Sequence, residues 1–278
     1  MWTVALAGRF NSGTKGGLVS LFIAYGAVMG ASYVINQLVD SDGDDINKKL
    51  FFIADGIVNR GCAIAIAGIL AFIGVVWLLS LGVFFGIIGI LSFTLAGICY
   101  NLPPFSWKDH PVLAPLVTMV SGVLAFLLGC LPEFSLALLV KTIPYLTAVG
   151  AVALLTAAPD IEGDRITNKR TFPIVYGETF TVYLAVLLCV VSAVISWWTK
   201  DRIIFWPSLI SIPVFVNAAM SVKKSAVILA IKFPVFLISL AVGFRFPGYL
   251  VLMVVYLLFA RWYFKNRFNI EYPSFNME

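Results

Sequence analysis

Two clusters of carboxylates have a spacing that could do chemistry. Asn36-Gln-Leu-Val-Asp40-Ser-Asp-Gly-Asp44 places acids at 40 and 44, and Asp160-Ile-Glu-Gly-Asp164 repeats the four-residue interval. Residues four apart on a helix share a face, turning by about 40° and rising about 6 Å at each step. Asn36, Asp40 and Asp44 can therefore line one wall of a cavity, and Asp160 and Asp164 another. Each motif follows an apolar segment long enough to cross a bilayer, where charge is costly and marks a functional site. Mg²⁺ takes oxygen ligands, usually one or two carboxylates together with substrate phosphates. Two such pairs could hold two Mg²⁺ ions on a diphosphate at a membrane surface. Either motif alone reads equally well as a solvated loop with helix-capping aspartates. Two at matching depth on one side weigh against that.

The elements that must position these residues are membrane helices. Of 278 residues, 61% are hydrophobic and 12% charged, and mean hydropathy is +0.99. A soluble domain carries about 25% charged residues. The apolar runs are continuous, which excludes a barrel of alternating short strands. About 20 apolar residues span a bilayer, giving about nine spans near 16–38, 61–79, 82–100, 111–130, 136–157, 179–199, 203–220, 226–243 and 247–264. No cleavable signal peptide is evident at the amino terminus. The expected fold is all-α, a polytopic transmembrane bundle with a central cavity, in one domain covering 1–278.

Cytoplasmic loops carry the Lys/Arg excess. Taking loops alternately puts twelve Lys and Arg on one side and five on the other. The twelve-residue side is expected to be cytoplasmic, and the loops after the first, third and fifth spans all face it. Those loops carry the first acidic motif, the stretch Tyr100-Asn-Leu-Pro-Pro-Phe-Ser-Trp-Lys108, and the second acidic motif. Three polar loops converging on one face make a site in a multi-pass protein of the cell membrane, its cavity opening to the cytoplasm.

Lys108, Arg165, Lys169 and Arg170 supply the basic half of a phosphate site, Arg by bidentate pairing and Lys as a point charge. For Arg165 and Lys169 the topological role is an equal reading. Tyr100 is either an interfacial anchor or an aromatic wall whose π face stabilises an allylic carbocation. His110 is the one histidine, so no triad or two-histidine metal site can be built, and a structural role is expected. Cys62, Cys99, Cys130 and Cys189 stand singly, with no CxxC pair, as packing residues. Lys141 and Lys232 lie within apolar segments and open a rival reading, a cation-coupled transporter. No stripe of Lys and aromatics suggests a nucleic-acid partner.

At these motifs the chain resembles the UbiA superfamily of intramembrane prenyltransferases. The family's first motif, NDxxDxxxD, corresponds to Asn36-Gln37-x-x-Asp40-x-x-x-Asp44. Its second corresponds to Asp160-Ile-Glu-Gly-Asp164-Arg-Ile-Thr-Asn-Lys-Arg-Thr171-Phe-Pro173-Ile-Val-Tyr-Gly177, and its tyrosine–proline–lysine loop to Tyr100, Pro103 and Lys108. The compact signature of the CDP-alcohol phosphotransferases is absent. There are departures. Lys48-Lys49-Leu50 stands where a basic Arg-Pro-Leu segment is expected, and Gln37 replaces an Asp. Only 1–7 remains of a span expected before the first motif, and four spans rather than three follow the second.

The resemblance implies Mg²⁺-dependent transfer of a prenyl group from a polyprenyl diphosphate to a lipophilic acceptor. Asn36, Asp40, Asp44, Asp160 and Asp164 would hold two Mg²⁺ ions. Lys108, with Arg165, Lys169 and Arg170, would neutralise the diphosphate, and Tyr100 would face the allylic cation. An aromatic quinone precursor is the leading acceptor, with a glycerol-phosphate lipid as the alternative. An aromatic acceptor calls for a stacking wall and a phosphate acceptor for further basic residues.

Overall fold

The computed structural model describes residues 1–12, 17–46, 53, 56–131, 133–166, 169–221 and 223–269, without the side chains of 2 and 41–46. The described residues are almost wholly helical and contain no strand. Eight helices are long and apolar enough to cross a membrane, and a shorter apolar helical stretch, Val83–Cys99, stands where the third span was expected. In chain order the helices are α1 (Trp2–Ser12), α2 (Leu18–Ile46), α3 (Arg60–Leu81), α4 (Val83–Ser92), α5 (Leu113–Cys130), α6 (Leu136–Leu155), α7 (Ile161–Ile166), α8 (Phe172–Tyr176), α9 (Glu178–Trp198), α10 (Arg202–Ser221), α11 (Lys224–Arg245) and α12 (Pro247–Phe268). A π-helical segment, Phe93–Cys99, continues α4. The segment 203–243 resolves into two helices, so four spans do follow the second acidic motif.

Small residues let the helices approach. Membrane helices gain no hydrophobic drive against lipid, so they associate by close packing and interhelical hydrogen bonds. On α9 the buried positions Ala185, Cys189, Ser192, Ala193 and Ser196 recur at helical spacing. Ser192 Oγ donates to the Pro144 carbonyl of α6 at 2.8 Å and meets Ser208 Oγ of α10 at 2.9 Å. That seam ties the second half of the bundle together.

The amino-terminal segment reads in sequence as a remnant of a span. In the structure it forms the eleven-residue helix α1, and its Leu6 and Ala7 are fully buried. It packs along α5, and the contact is made by two glycines. A Cβ on Gly129 would overlap the Ala5 carbonyl, and one on Gly8 the Phe126 carbonyl. The far end of α1 is fixed by a buried carboxylate: Asp201 Oδ2 accepts from Asn11 Nδ2 and from the Tyr145 hydroxyl, each at 2.8 Å. Asp201 Oδ1 accepts the Ile203 amide at 3.0 Å, holding the start of α10.

The α1–α5 contact is tight enough to test. Gly129→Ala is expected to destabilise the bundle by about 1–3 kcal/mol, because backbone rather than a flexible side chain must yield. Thermal unfolding in detergent should show a lower midpoint, whereas Gly68→Ala, where an added Cβ meets nothing within 4 Å, should leave it unchanged.

Candidate active site

The first acidic motif is placed by continuous helix. α2 runs through to Ile46, so Asn36 and Asp40 sit one turn apart and Asp44 follows in the last turns. The side chain of Asp44 lies outside the described residues. Asp160 closes a short 3₁₀ turn at the end of α6, and Asp164 lies in α7 with Gly163, both buried. Lys108 stands in a 3₁₀ turn, Trp107–Asp109, beyond the π-helix, and Lys169 follows α7.

These segments meet in one vestibule of about 170 Å³, lined among others by Asn36, Asp40, Tyr100, Lys108, Asp160, Asp164 and Lys169. Asp40 is its hub. Lys108 Nζ donates to Asp40 Oδ1 at 2.6 Å, and Lys169 Nζ to the same oxygen at 3.3 Å. The side chains of Lys108, Asp40 and Lys169 are 8%, 16% and 26% exposed, so all three are shielded. Burial alone would lower the Lys169 ammonium. The Asp40 charge and hydrogen bond, joined by the charges of Asp164 and Asp109, hold it above the ordinary lysine range. It therefore stays a cation at the mouth of the site.

Asn36 is positioned by a residue that motif reading does not single out. Asn36 Nδ2 donates to Asp40 Oδ2 at 2.9 Å and to Asn101 Oδ1 at 2.9 Å. Asn101 is fully buried, and its own amide donates to the carbonyls of Ala96 and Gly97 at 2.9 and 3.0 Å. Those carbonyls belong to the π-helical segment, whose lengthened turn brings them within reach of one side chain. Both hydrogens of the Asn36 amide group are thus committed, and its Oδ1 remains as a neutral oxygen donor. The sequence signal was adjacency: Asn101 follows Tyr100. Its role depends on the π turn, which propensity does not announce.

The donor set suits Mg²⁺. Among the described residues no three acidic or His/Cys side chains converge on one point. The oxygens come instead as Asp40 with Asn36 from one motif and Asp160 with Asp164 from the other. All are hard donors, one or two carboxylates to a group, which is how Mg²⁺ is held when substrate phosphate and water complete its shell. No site for a soft metal is suggested.

The structure separates the basic residues that the sequence left together. Lys108 and Lys169 line the vestibule, while Arg165 and Arg170 are exposed and do not. Lys48 and Lys49 lie outside the described residues. His110 is structural, its Nδ1 accepting the Val112 and Leu113 amides at 3.3 Å at the start of α5. Lys232 is exposed on α11, away from every cavity described here.

Two further cavities adjoin the vestibule, the larger of mixed lining and the smaller mainly apolar. The larger, about 600 Å³, shares Asn36, Tyr100 and Thr118 with it and extends past Met29 and Val117. The other, about 220 Å³ between α6, α9, α10 and α11, shares Thr118, Ala153 and Thr156 with it. Thr118 lines all three spaces and marks their junction.

Comparison with known proteins defines the class. The UbiA prenyltransferase family model matches residues 1–226, and the chain belongs to that family. It is 28% identical over 198 residues to a homogentisate phytyltransferase of Synechocystis, covering 64% of this chain and 63% of that protein. It is 29% identical over 175 residues to the bacteriochlorophyll synthase 34 kDa chain of Chloroflexus aurantiacus, covering 61% and 55%. The matched stretch thus spans less than two thirds of each relative. The fold is that of a UbiA homologue from Archaeoglobus fulgidus bound to GPP and Mg²⁺, with TM-score 0.74, 16% identity and coverage of 88% and 93%. It is also similar to a digeranylgeranylglyceryl phosphate synthase, with TM-score 0.65, 17% identity and coverage of 86% and 89%.

The Asn36–Asn101 bridge can be tested by removing one partner. Asn101→Leu should strand the Ala96 and Gly97 carbonyls and free Asn36, costing about 1–2 kcal/mol for interhelical bonds in a membrane protein. A lower detergent unfolding midpoint is the expected reading, and an unchanged midpoint would show that the bridge carries no stability.

Proposed function

We propose that this chain is a Mg²⁺-dependent prenyltransferase, moving a prenyl group from a polyprenyl diphosphate to a lipophilic aromatic acceptor. The observation that carries the reading is the charge of the vestibule. Among its described lining residues, four carboxylates (Asp40, Asp109, Asp160, Asp164) face two ammonium groups, Lys108 and Lys169. Such a space repels a diphosphate unless divalent cations enter with it. Family membership supplies the context in which that pairing makes sense.

Asn36, Asp40, Asp160 and Asp164 are assigned as ligands, with Asp44 completing the first motif. When bound, Mg²⁺ supplies Lewis-acid neutralisation of the leaving diphosphate. Lys108 and Lys169 each keep further N–H donors beyond the one given to Asp40, and these hold the diphosphate oxygens. Tyr100, shared between vestibule and larger chamber, presents a π face to the allylic cation formed as the C1–O bond breaks. The two chambers shelter the prenyl chain and keep water from the cation. Arg165 and Arg170, exposed as they are, act in topology and not in the site.

The aromatic acceptor is favoured over a glycerol-phosphate lipid by the basic residues. Lys108 and Lys169 are the two basic residues among the described lining and both are assigned to the donor diphosphate, which leaves no further cation for a second phosphate, while Phe172 adds an aromatic wall. The twelve-to-five bias of Lys and Arg supports a cytoplasmic vestibule. Domain 1–278 is taken as a single unit. Reporter fusions within 39–60 and 158–178 should both report the cytoplasm, and opposite faces would break the single-site arrangement.

The functional test is binding of geranylgeranyl diphosphate to the purified protein with and without Mg²⁺. Mg²⁺-dependent binding is expected, weakened about 10-fold or more in Asp40→Ala and in Asp160→Ala, since even outer partners of a metal site cost 10–100-fold. No binding, or binding indifferent to Mg²⁺ and to both substitutions, overturns the assignment.

A further inference from the structure

Two residues that line the vestibule carry buried oxygens that neither the metal nor the diphosphate assignment uses. Thr171 is one of them and is 8% exposed. It occupies the N-cap position of α8 in extended backbone, φ −73° and ψ 162°, yet its hydroxyl makes no capping bond. A threonine there ordinarily accepts from the first helical turn. Here Oγ1 is buried with no partner. Asp109 also lines the vestibule, next in sequence to Lys108, and its Oδ1 is likewise buried with no partner. The Asp109 charge is felt at Lys169, two residues from Thr171. A buried polar atom left unbonded costs about 1–3 kcal/mol, and native proteins seldom keep one without a use.

We propose that Asp109 and Thr171 form the polar end of the acceptor's seat and take hydroxyl hydrogens of an uncharged, hydroxylated aromatic ring. The proposal rests on the prenyl-transfer reading and names its acceptor class. An ionised carboxylate is acceptor-only, so a free Asp109 oxygen calls for an O–H or N–H from the ligand. A phosphate would bring only more negative charge. Thr171 can accept a second hydroxyl. Because both oxygens are buried in the wall, the seat requires a χ1 step of Thr171 and a χ2 flip of Asp109 to bring them to the ligand. The residue after Thr171 supplies the flat wall. Phe172 lines the vestibule and belongs to an aromatic group, its ring 4.6 Å from Tyr176 and stacked at 15° and 6.2 Å on Phe180. An aromatic ring packs against such a face. Asp109 and Thr171 are binding residues here, since they touch the acceptor and not the reacting carbon of the donor.

Two readouts test this on the full chain. The first is Mg²⁺-dependent binding of geranylgeranyl diphosphate. The second is transfer from that donor to 1,4-dihydroxybenzene and to 1,3,5-trihydroxybenzene, each against its O-methylated counterpart. The wild type is expected to favour the hydroxylated rings by about 10-fold or more in kcat/KM, because a site built to bond a hydroxyl rejects the analogue lacking it. In Asp109→Leu and Thr171→Val, which remove the acceptor oxygen, the preference should narrow to about 3-fold or less, chiefly through a raised KM, with donor binding kept. Thr171→Ser, which retains the hydroxyl, should restore it. Unchanged preference in both variants overturns the seat. So does loss of donor binding in Asp109→Leu, which would place that carboxylate with the metal, or a wild type that binds donor but prenylates neither ring. A wild type that fails to bind donor brings down the prenyl-transfer reading itself, and the seat with it.

Discussion

The carboxylate of Asp40 is the interaction around which the vestibule is arranged. It lies at the end of a membrane-length stretch of α2, where an unpaired charge is expensive. Its partners come from three places: Asn36 one turn back, Lys108 beyond the π-helix, and Lys169 after α7. At an effective dielectric constant of 20, unit charges about 4 Å apart attract by about 4 kcal/mol before desolvation is counted. Desolvation takes back much of that in a shielded pair. The pairings are therefore better understood as fixing geometry than as adding stability. They draw two separate loops over the end of a third element, and the vestibule is what they enclose.

Rigidity behind the hub comes from a second, neutral layer. Asn101 satisfies the π-helix carbonyls with its amide and receives Asn36 on its oxygen, so the position of Asp40 is passed back into the helix backbone. Charge at the mouth is met by uncharged polar groups one layer in and by more apolar chambers beyond, in which Thr118 marks the junction. This gradient from charge to grease is what a diphosphate with a hydrocarbon tail presents in reverse. At the opposite boundary of the bundle core, Asp201 with Asn11 and Tyr145 pins α1 without entering either chamber.

The spans were legible because continuous apolar runs of about 20 residues have few other structural uses. The helical reading of Asn36 and Asp40 held because the i, i+4 interval leaves little freedom once α2 is known to continue. What the sequence could not separate was Lys169 from Arg165 and Arg170. All three are basic residues near one motif, and the folded placement of Lys169, whose amide donates to the Asp164 carbonyl at 2.9 Å, is what sets it against Asp40. Asn101 received no role from the sequence, and Thr171 only a place in the second motif, for a different reason. Their significance is a matter of satisfied and unsatisfied hydrogen bonds, which depend on the π turn and on a cap that does not form. The 1–7 segment read as a remnant because periodicity reports apolar length, whereas α1 is held by glycine contacts at Gly8 and Gly129 that length does not reveal.

The sharing of Asp40 between two lysines has a consequence for the order of events in the proposed reaction. While Asp40 is held by Lys108 and Lys169, the lysine charge is partly spent and the remaining acids dominate the field of the vestibule. A divalent cation taking Asp40 oxygen would weaken both lysine pairings and leave those ammonium groups to the diphosphate. Cation and donor then strengthen one another, and linkage requires the effect to be reciprocal. On the proposed assignment, donor affinity would rise with Mg²⁺ by the same factor that Mg²⁺ affinity rises with donor, and the vestibule would hold neither partner well alone. In the proposed reaction, ionisation of the donor would thereby be confined to the state in which the lysines are free to hold the leaving diphosphate.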